Sequence, residues 1–435
     1  MSTAQQPHRQ FDVPHHKNIT SEECQRLERQ YGAHNYHPLP VVFATAHGCK
    51  ITDPEGREYY DFLSAYSAVN QGHCHPKIIQ ALCDQAHHLT LSSRAFYNDK
   101  LGEYCETVTK FFGFEMMLPM NTGAEGVETA MKLARKWGYE KKHIPENEAI
   151  IVCCSGNFHG RTIAIISMST DPSCKGGFGP FVPGLRVIPY NDVQALSDVL
   201  EEVGDKVCGF LVEPIQGEAG VFVPDDGYLA RCKALCEQHN VLLIADEVQT
   251  GIARTGRLLC CDWDNVHPDI LILGKALGGG VYPCSAVLST REIMLCINPG
   301  EHGSTFGGNP LAAAVGIAAL GVVRDEHLTE RADELGNYFR EKLREIAQNN
   351  PIIQLVRGRG LLNAIVIREG PISAWDICMV MKQNGLLAKP THDTIIRLAP
   401  PLTISRAQLD DCLRIIRETV ESIVKMRPED IPREH

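Results

Sequence analysis

A lysine that directly follows an apolar run is the first residue whose surroundings point to chemistry. Lys275 comes after the run Asp269–Leu273 and Gly274, and mostly small residues continue from Ala276 to Gly280. A lysine in an apolar pocket can lose its proton and act as a nucleophile, and glycines leave room for a flat ligand beside it. The alternative is an ordinary solvated lysine at the end of a strand, which Lys275 alone does not exclude.

A pair of acids follows another apolar run, one predicted strand earlier. The run Val241–Ala245 leads into Asp246 and Glu247. Ligands of doubly wound sheets bind at the carboxyl ends of the strands, so a carboxylate here can face a ligand cation, although a surface acid would have the same pattern. Together, Asp246 and Lys275 fit pyridoxal phosphate (PLP). This cofactor needs a lysine for its Schiff base and an acid on its pyridinium nitrogen.

Two polar turns could hold a phosphate. The segment Asn121–Gly126 lies between an apolar run and a helical pattern. Free backbone N–H groups and the positive end of a helix dipole favour an anion at such a place. The segment Gly303–Pro310 is rich in glycine and carries the hydroxyl side chains Ser304 and Thr305. An ordinary N-capped helix and an ordinary tight loop are the alternatives that these segments leave open.

Apolar runs alternate with amphipathic segments from about Leu82 to Gly280. Short continuous runs are typical of strands buried on both faces, and the alternation is typical of βαβ units in a mostly parallel sheet. We therefore expect an α/β fold with a doubly wound sheet. The expected strands are Met116–Met120, Ala149–Cys154, Val207–Val212, Val241–Ala245 and Asp269–Leu273, and the clearest helices between them are Glu125–Tyr139 and Tyr228–His239.

The two ends of the chain are expected to meet in a smaller α/β domain. A long helical stretch from about Leu311 leads into a region that ends with the strand Ile395–Leu398 and the helix Arg406–Met426. We predict residues 1–80 as an N-terminal arm and part of the small domain. Residues 81–310 are predicted as the large PLP-binding domain, and residues 311–435 as the C-terminal part of the small domain.

Composition and charge argue against several classes of protein. The chain has 435 residues and a net charge of −11 without a block of lysines and arginines, which argues against binding to nucleic acid. Its longest apolar stretch is shorter than the ~20 residues that span a bilayer, and the N-terminus lacks the apolar segment of a secretory signal. We expect a cytoplasmic protein without a membrane partner or a metal site. Its 17 cysteines contain no C-x-x-C pair and are expected to be reduced, although a redox role for Cys153, Cys154 and Cys174 stays open.

Several segments together carry a resemblance to a known family. They are YGAHNYHPLP from Tyr31, SAYSAVNQGHCHP from Ser64, LPMNTGAEGVETAMKLARKWGY from Leu118, GNFHGRT from Gly156, VEPIQGEAG from Val212, ADEVQTGIARTG from Ala245, LGKALGGGVYP from Leu273, GEHGSTFGGNP from Gly300 and LLAKPTHDTIIRLAPPL from Leu386. On these segments the chain resembles the class III, fold-type I PLP-dependent aminotransferases over nearly its whole length. Within that family it is similar to the branch that acts on the δ-amine of ornithine.

For the cofactor ring, the resemblance assigns roles to four side chains. Lys275 would hold PLP and would then move the proton between the substrate carbon and the cofactor carbon C4′. Asp246 would pair with the pyridinium nitrogen, Gln249 would hydrogen-bond the ring hydroxyl, and Phe158 would stack on the ring. Without the resemblance, Phe158 is explained more simply as an aromatic residue of the core.

For the cofactor phosphate, the resemblance implies a site that two subunits share. Gly123 and Ala124 would offer backbone N–H groups. Thr305, together with Ser304, would reach the phosphate of the neighbouring subunit. The resemblance therefore implies a homodimer with its active site at the subunit interface.

For the substrates, the resemblance assigns five side chains. Tyr36 and Arg161 would hold the α-amine and α-carboxylate of ornithine, and Tyr66 would line the pocket. Arg397 would bind the α-carboxylate of 2-oxoglutarate through its planar guanidinium, and Glu218 would neutralise this arginine while ornithine is bound. The implied reaction transfers the δ-amino group of L-ornithine to 2-oxoglutarate by a ping-pong mechanism through pyridoxamine phosphate. Its products would be glutamate and glutamate 5-semialdehyde, which cyclises to pyrroline-5-carboxylate.

Two departures and three alternatives accompany this interpretation. His159 stands where close relatives have a bulkier aromatic, and Phe306 stands where a tyrosine is common, so the shape of the pocket differs. An aminotransferase of N-acetylornithine or 4-aminobutyrate is one alternative, but neither substrate offers the α-ammonium that Tyr36 would hold. A PLP aminomutase would have no use for the pair of Glu218 and Arg397. A PLP-binding scaffold without activity would not explain an intact Lys275.

Overall fold

The computed structural model describes residues 19–426 and Ile431. Two parts of the predicted domains lie outside the described residues. They are residues 1–18, the start of the predicted N-terminal arm, and residues 427–430 and 432–435, at the end of the predicted C-terminal part of the small domain. The strands in chain order are β1 Thr45–His47, β2 Lys50–Thr52, β3 Glu58–Asp61, β4 Met116–Met120, β5 Ile150–Cys154, β6 Leu185–Ile188, β7 Val207–Val212, β8 Leu242–Asp246, β9 Ile270–Leu273, β10 Ser285–Ser289, β11 Ile353–Arg359, β12 Leu362–Ile367, β13 Leu386–Leu387, β14 Lys389–Thr391 and β15 Ile395–Leu398.

The helices lie mostly between the strands of the large sheet and after it. They are α1 Ser21–Tyr31, α2 Ser64–Ser67, α3 Pro76–Ala86, α4 Leu101–Phe112, α5 Gly123–Glu140, α6 Ile163–Ser167, α7 Pro172–Lys175, α8 Val193–Val203, α9 Tyr228–Gln238, α10 Arg291–Met294, α11 Pro310–Asp325, α12 Leu328–Gln348, α13 Ala374–Gln383 and α14 Arg406–Ile423. In the part of the chain that the structure describes, no helix combines the length and apolar character needed to cross a membrane.

The central sheet has the strand order β4-β10-β9-β8-β7-β5-β6. The neighbours from β9 to β6 are parallel to one another, whereas β10 is antiparallel to both β9 and β4. All residues of β7, β8 and β9 are buried, because these central strands are covered on both faces. The predicted α/β fold with a mostly parallel sheet is confirmed.

The predicted strands and helices of this sheet are present with small shifts at their ends. Strands β4 and β7 have the predicted bounds, and β5, β8 and β9 each begin one residue later than predicted. Strands β6 and β10 were not predicted from the sequence. In β6 the residues Arg186 and Val187 are exposed at the edge of the sheet, so no continuous apolar run marks it. In β10 only the three residues between Ser285 and Ser289 are apolar.

Two smaller sheets contain the strands from both ends of the chain. One has the order β1-β2-β3-β13, in which β3 pairs in parallel with β13, so that Leu386 lies opposite Tyr60. The other has the order β11-β12-β15-β14, in which β15 lies between β12 and β14. Arg397 belongs to β15 and is paired with Ala364 of β12 and Lys389 of β14. This central position in a sheet fixes the backbone of Arg397.

The long helical stretch predicted from Leu311 is divided into α11 and α12. His327 lies between the two helices with a φ of +52°, which ends one helix and lets the next begin. The helix α11 begins with Asn309 as N-cap, whose side chain accepts from the N–H of Ala312, and Pro310 occupies its first position. The predicted helix Arg406–Met426 is present as α14 and ends at Ile423.

The short element α2 is a left-handed turn. Its residues have φ values of +50° for Ser64, +45° for Ala65, +59° for Tyr66 and +73° for Ser67. Side chains make this region unfavourable for residues other than glycine, so neighbouring groups must hold the turn. The carboxylate of Asp61 accepts the N–H of Ser64 at 2.9 Å, and the Ser64 hydroxyl donates to the Ala399 carbonyl at 2.7 Å.

Candidate active site

Lys275 lies where the chain leaves β9 at the carboxyl edge of the central sheet. Its φ is +45°, a strained conformation for a residue with a side chain, and a 3-10 turn begins at this residue. The side chain is only partly exposed. Burial lowers the pKa of Lys275, although the nearby carboxylate of Glu218 opposes the shift. A lowered pKa increases the neutral fraction of the amine, which is the nucleophilic form.

Asp246 ends the neighbouring strand β8, so its carboxylate lies at the same edge as Lys275. It is 5% exposed, and one oxygen accepts the N–H of Val248 at 3.1 Å. The other oxygen lies 2.7 Å from Nδ1 of His159, whose side chain is fully buried. Burial disfavours a charged His159, but the hydrogen bond and the charge of Asp246 outweigh it and raise its pKa. The contacts with His159 and with the N–H of Val248 therefore fix the orientation of the Asp246 carboxylate.

The N-terminus of α5 faces the same space from the other side. Thr122 is its N-cap, and Thr122 and Glu125 form a capping box that orders the turn. The N–H groups of Gly123 and Ala124 belong to the first helical turn, where backbone donors have no acceptor within the helix. A Cβ at Gly123 would lie 2.8 Å from Cγ1 of Val248, so glycine is needed for this close approach.

These groups surround a cavity of about 170 Å³. All of the residues that the sequence predicts for cofactor binding line this cavity, except Ser304 and Thr305. The lining residues are Gly123, Ala124, Phe158, His159, Gly160, Glu213, Asp246, Val248, Gln249, Thr250 and Lys275. The cavity therefore brings an amine, carboxylates and helix N–H groups around one space.

Arg397 lies beside this cavity and is 1% exposed. Its Nη1 donates to Oε1 of Glu218 at 2.9 Å and to Oε1 of Gln249 at 3.0 Å. The aromatic ring of Tyr66 lies against the guanidinium, with 4.7 Å between Cζ and the ring centroid. Within the described residues, Nε and Nη2 of Arg397 are buried and have no acceptor. Two unpaired donors on one planar guanidinium are the geometry that a carboxylate ligand would satisfy.

Glu218 is held as a carboxylate next to this arginine. Burial raises its pKa, but the charges of Arg397 and Lys275, together with hydrogen bonds from Arg397 and Gln249, outweigh burial and lower the pKa. The Gln249 side chain also donates to Glu218 at 3.1 Å. Gly217 makes this arrangement possible, because a Cβ there would overlap with Oε1 of Gln249 at 1.7 Å.

Tyr36 and Arg161 are not joined to the cavity by the contacts in this structure. Tyr36 lies in the segment between α1 and β1 and is 70% exposed, and its hydroxyl has no hydrogen-bond partner among residues 19–426. Arg161 is exposed, and its Cζ lies 5.7 Å from the ring centroid of Phe158. Phe158 lines the cavity, so its ring links Arg161 to the edge of the cavity.

Ser304 and Thr305 lie in the loop before α11. The hydroxyl of Ser304 accepts from Nδ2 of Asn121 at 2.8 Å and from the N–H of Gly307 at 3.1 Å. Ser304 therefore lies beside the turn that begins α5 of its own chain, whereas the Thr305 side chain is exposed.

Sequence reasoning missed the cavity carboxylate of Glu213 and gave no role to His159. Glu213 directly follows the buried strand β7, the same pattern that singled out Asp246 after β8. Its Oε1 accepts the N–H of Phe158 at 2.9 Å, and burial raises its pKa to about 7. His159 was noted only as a departure from close relatives, and its contact with Asp246 could not be predicted from spacing.

The three cysteines near this region are buried. Burial raises the pKa of Cys153 to about 12, and burial also raises the pKa values of Cys154 and Cys174. The thiol form, which is the less reactive form, is therefore favoured at all three positions.

Comparison with known proteins decides the family. The family model described as "Aminotransferase class-III" matches residues 31–420. The chain belongs to the class III aminotransferases. The predicted family and the prediction of a PLP-dependent aminotransferase are confirmed.

Individual relatives of this aminotransferase are similar over nearly the whole chain. The rice protein named "Ornithine aminotransferase, mitochondrial" is 61% identical over 407 residues, which cover 93% of this chain and 86% of the rice protein. A solved structure of the ornithine aminotransferase from Toxoplasma gondii is 49% identical with a TM-score of 0.92, and the match covers 93% of this chain and 95% of that chain. A structure named acetylornithine aminotransferase from Elizabethkingia anophelis is 56% identical with a TM-score of 0.86, and it covers 93% of this chain and 100% of that chain.

The cofactor of class III aminotransferases, PLP, fits the residues around the cavity. An amine with a lowered pKa, a fixed carboxylate and the first-turn N–H groups of α5 border the same space. A Cβ at Gly123 would meet Val248, which also lines the cavity, so glycine is the residue that fits at this helix end. The predicted cofactor is confirmed, and the residues that would hold it are proposed below.

Proposed function

We propose that this aminotransferase transfers the δ-amino group of L-ornithine to 2-oxoglutarate. Its products are glutamate and glutamate 5-semialdehyde, which cyclises to pyrroline-5-carboxylate. The observation that carries this proposal is the pair of Arg397 and Glu218 at the cavity. The buried guanidinium has two unpaired donors, Nε and Nη2, which suit the α-carboxylate of 2-oxoglutarate. Its remaining nitrogen, Nη1, donates to Glu218 in the absence of that ligand. The names of the rice and Toxoplasma relatives support the same substrate.

The cavity residues divide the chemistry among themselves. When bound, PLP supplies an electron sink for the carbon that loses its proton. Lys275 would attach the cofactor and would carry the proton between the substrate carbon and the cofactor. Asp246, which His159 holds in place, would pair with the ring nitrogen, and Phe158, which lines the cavity, would cover the ring. Gln249 would hydrogen-bond the ring hydroxyl.

The phosphate end of the cofactor is assigned to the N-terminus of α5. Gly123 and Ala124 donate their backbone N–H groups, and the positive end of the helix dipole favours the negative charge. Ser304 and Thr305 belong to the phosphate site of the neighbouring subunit in a homodimer. Phe306, the exposed aromatic neighbour of Thr305, would be covered by such an interface.

The far end of ornithine is assigned to Tyr36, Arg161 and Tyr66. Tyr36 and Arg161 hold the α-amine and the α-carboxylate away from the cofactor, so that the δ-amine reacts. Tyr66 lies on the guanidinium of Arg397 and lines the pocket between the two ends. Glu218 removes the attraction of Arg397 for the α-carboxylate of ornithine.

We also propose a cytoplasmic location. The 17 cysteines of the chain are free thiols, which suits a reducing compartment. Cell fractionation distinguishes the cytosol from the mitochondrial location in the name of the rice relative.

An amino-donor screen with 2-oxoglutarate tests the proposed function. Ornithine should give both glutamate and the cyclised pyrroline product. The pyrroline is detected by the coloured adduct that it forms with 2-aminobenzaldehyde. A tenfold or greater preference for another donor would reject ornithine as the substrate.

The similarity to the acetylornithine aminotransferase structure makes N-acetylornithine the second candidate. Its acetylated nitrogen carries no charge, so Tyr36 would have no ammonium to hold. Tyr36→Phe should therefore lower kcat/KM for ornithine about tenfold or more, since a hydrogen bond to a charged group is worth ~1.5–3 kcal/mol. The rate with N-acetylornithine should change far less. Equal losses for both donors would show that Tyr36 does not select the substrate.

A further inference from the structure

Arg254 is a fully buried arginine in the loop that follows β8. It is 0% exposed. Its Nη1 donates to the carbonyls of Leu361 at 3.0 Å and Pro400 at 2.6 Å. Its Nε and Nη2 both donate to Oδ1 of Asn70, at 3.1 Å and 2.5 Å. Within the described ranges of the chain, no carboxylate forms an ion pair with it.

Burying a guanidinium without a carboxylate partner costs free energy, because the charge loses its hydration. Burial lowers the pKa of Arg254, and the positive charge of Arg397 lowers it further. An apolar side chain of similar volume would avoid this cost of desolvation. What the guanidinium adds is geometry, because its planar set of donors fixes several acceptors at once.

The acceptors of Arg254 belong to the segments that carry the substrate residues. Leu361 lies in the turn before β12 and Pro400 lies just after β15, and these two strands are paired around Arg397. Asn70 follows α2, the left-handed turn that carries Tyr66. Arg254 therefore connects the loop after β8 with the backbone on both sides of the substrate pocket.

Backbone contacts strengthen the same connection. The N–H of Leu361 donates to the carbonyl of Arg254 at 3.1 Å. A Cβ at Gly360 would lie 2.3 Å from the carbonyl carbon of Thr255, so the two backbones touch directly. The Asn70 amide also donates to the Ile252 carbonyl at 2.9 Å.

We propose that Arg254 is a positioning residue for carboxylate recognition by Arg397. Its bonds hold β15 at a fixed distance from the loop after β8, whose first residues include Gln249. The contact of Arg397 with Gln249 at 3.0 Å depends on that distance. This proposal rests on the proposed function, in which Arg397 receives the α-carboxylate of 2-oxoglutarate.

Arg254→Lys tests the proposal, because lysine keeps the charge but cannot reach all three acceptors in one plane. The matched control is Arg340→Lys. Arg340 is also buried, and it donates to the Gly360 carbonyl at 2.6 Å and to the Asn363 side chain at 2.9 Å, but it does not contact the loop after β8. Both changes remove bonds from a buried arginine at the same turn.

The measurement is the dissociation constant of glutarate, a dicarboxylate that cannot accept an amino group, for the pyridoxamine phosphate form of the enzyme, which is the form that 2-oxoglutarate meets. Arg254→Lys should raise this constant about tenfold, in line with the loss of aligned hydrogen bonds to a charged group. Arg340→Lys should change it less than about twofold, even where both variants lose similar thermal stability. The KM for 2-oxoglutarate should rise in parallel with little change in kcat for Arg254→Lys alone.

Asn70→Ala provides a second variant that keeps Arg254 and removes its two bonds to Oδ1. It should weaken glutarate binding in the same direction by a smaller factor. Unchanged glutarate binding in both variants, or an equal loss in Arg340→Lys, would overturn the role of Arg254. Failure of the unmodified enzyme to bind glutarate would instead count against the proposed role of Arg397 itself.

Discussion

At the scale of single residues, the site depends on groups of opposite charge that lie close together. Lys275 has a lowered pKa because it is buried, and Glu218 stays ionised because Arg397 and Lys275 lie near it. Arg397 in turn has two buried donors without acceptors in the described chain. Each of these states changes when a neighbour is removed, so single substitutions should separate their roles.

Lys275→Ala should abolish the visible absorption of lysine-bound PLP and nearly all turnover. The loss should be at least about a thousandfold, since proton transfer by a positioned side chain is worth ~10²–10⁴. Absorbance spectra and steady-state rates with ornithine measure both effects.

Lys142→Ala is the matched control for this prediction. Burial lowers the pKa of Lys142 as well, but its amine donates to the carbonyls of Gly204, Val207 and His239, away from the cavity. This variant should lose stability and keep its absorption spectrum. Near-normal turnover in Lys275→Ala would remove the basis of the proposed chemistry.

Glu218→Ala should change specificity more than chemistry. Without the carboxylate, Arg397 attracts the α-carboxylate of amino acids in both half-reactions. The half-reaction with glutamate should gain about ten- to hundredfold relative to ornithine, the range that a charged hydrogen bond of ~1.5–3 kcal/mol predicts. Rapid mixing of each amino acid with the PLP form gives the two rates.

Glu218→Gln is the control, because it keeps the shape and one acceptor but removes the charge. It should shift the ratio in the same direction by a smaller factor. A ratio that stays the same in Glu218→Ala would exclude Glu218 as the group that masks Arg397.

At the scale of elements, the sequence predicts the strands of the large sheet that are continuous apolar runs and misses β6 and β10, which are not. Burial on both faces requires continuous apolar residues, so β7 was predicted with its correct bounds. The edge strand β6 exposes Arg186 and Val187, so its sequence has no such signal. The left-handed turn α2 could not be predicted, because its residues have no intrinsic preference for positive φ. Tertiary hydrogen bonds from Asp61 and to Ala399 impose it.

The strain in α2 predicts an unusual response to glycine. Ala65 has φ +45° and an exposed side chain, so Ala65→Gly removes the steric cost of the left-handed conformation. The net gain in the free energy of unfolding should be up to about 1 kcal/mol after the greater freedom of glycine in the unfolded chain is included.

Ala68→Gly is the matched control three residues later. Ala68 has φ −85° and ψ −24°, where alanine is unstrained, so glycine should destabilise by ~0.5–1 kcal/mol. Urea unfolding of both variants gives the difference directly. Equal destabilisation by the two substitutions would show that α2 stores no strain.

At the scale of the whole molecule, the substrate residues come from parts of the chain that only tertiary structure can join. Arg397 lies on β15 and Gln249 follows β8, and they meet through hydrogen bonds that no local pattern predicts. Tyr36 and Thr305 were assigned through the resemblance, and their side chains are exposed in the single chain. In the proposed dimer, Thr305 would bind the cofactor phosphate of the second subunit.

Mixed dimers test whether Thr305 serves the neighbouring subunit. Thr305→Glu places a negative charge against the phosphate, and Lys275→Ala removes the reactive amine, so each variant alone should be nearly inactive. A hybrid dimer contains one site with both native residues if Thr305 acts across the interface. Random mixing should then restore roughly a quarter of the native activity. No recovery in dimers shown by mass spectrometry to have exchanged subunits would place Thr305 in the site of its own chain.

The position of the transferred nitrogen tests the central claim most directly. Ornithine labelled with ¹⁵N at the δ-amine is incubated with the enzyme and 2-oxoglutarate, and the products are analysed by mass spectrometry. The account predicts that glutamate carries the label and that the pyrroline product does not, whereas α-labelled ornithine gives an unlabelled glutamate and a labelled pyrroline. Labelled glutamate from the α-labelled donor, with none from the δ-labelled donor, would contradict it.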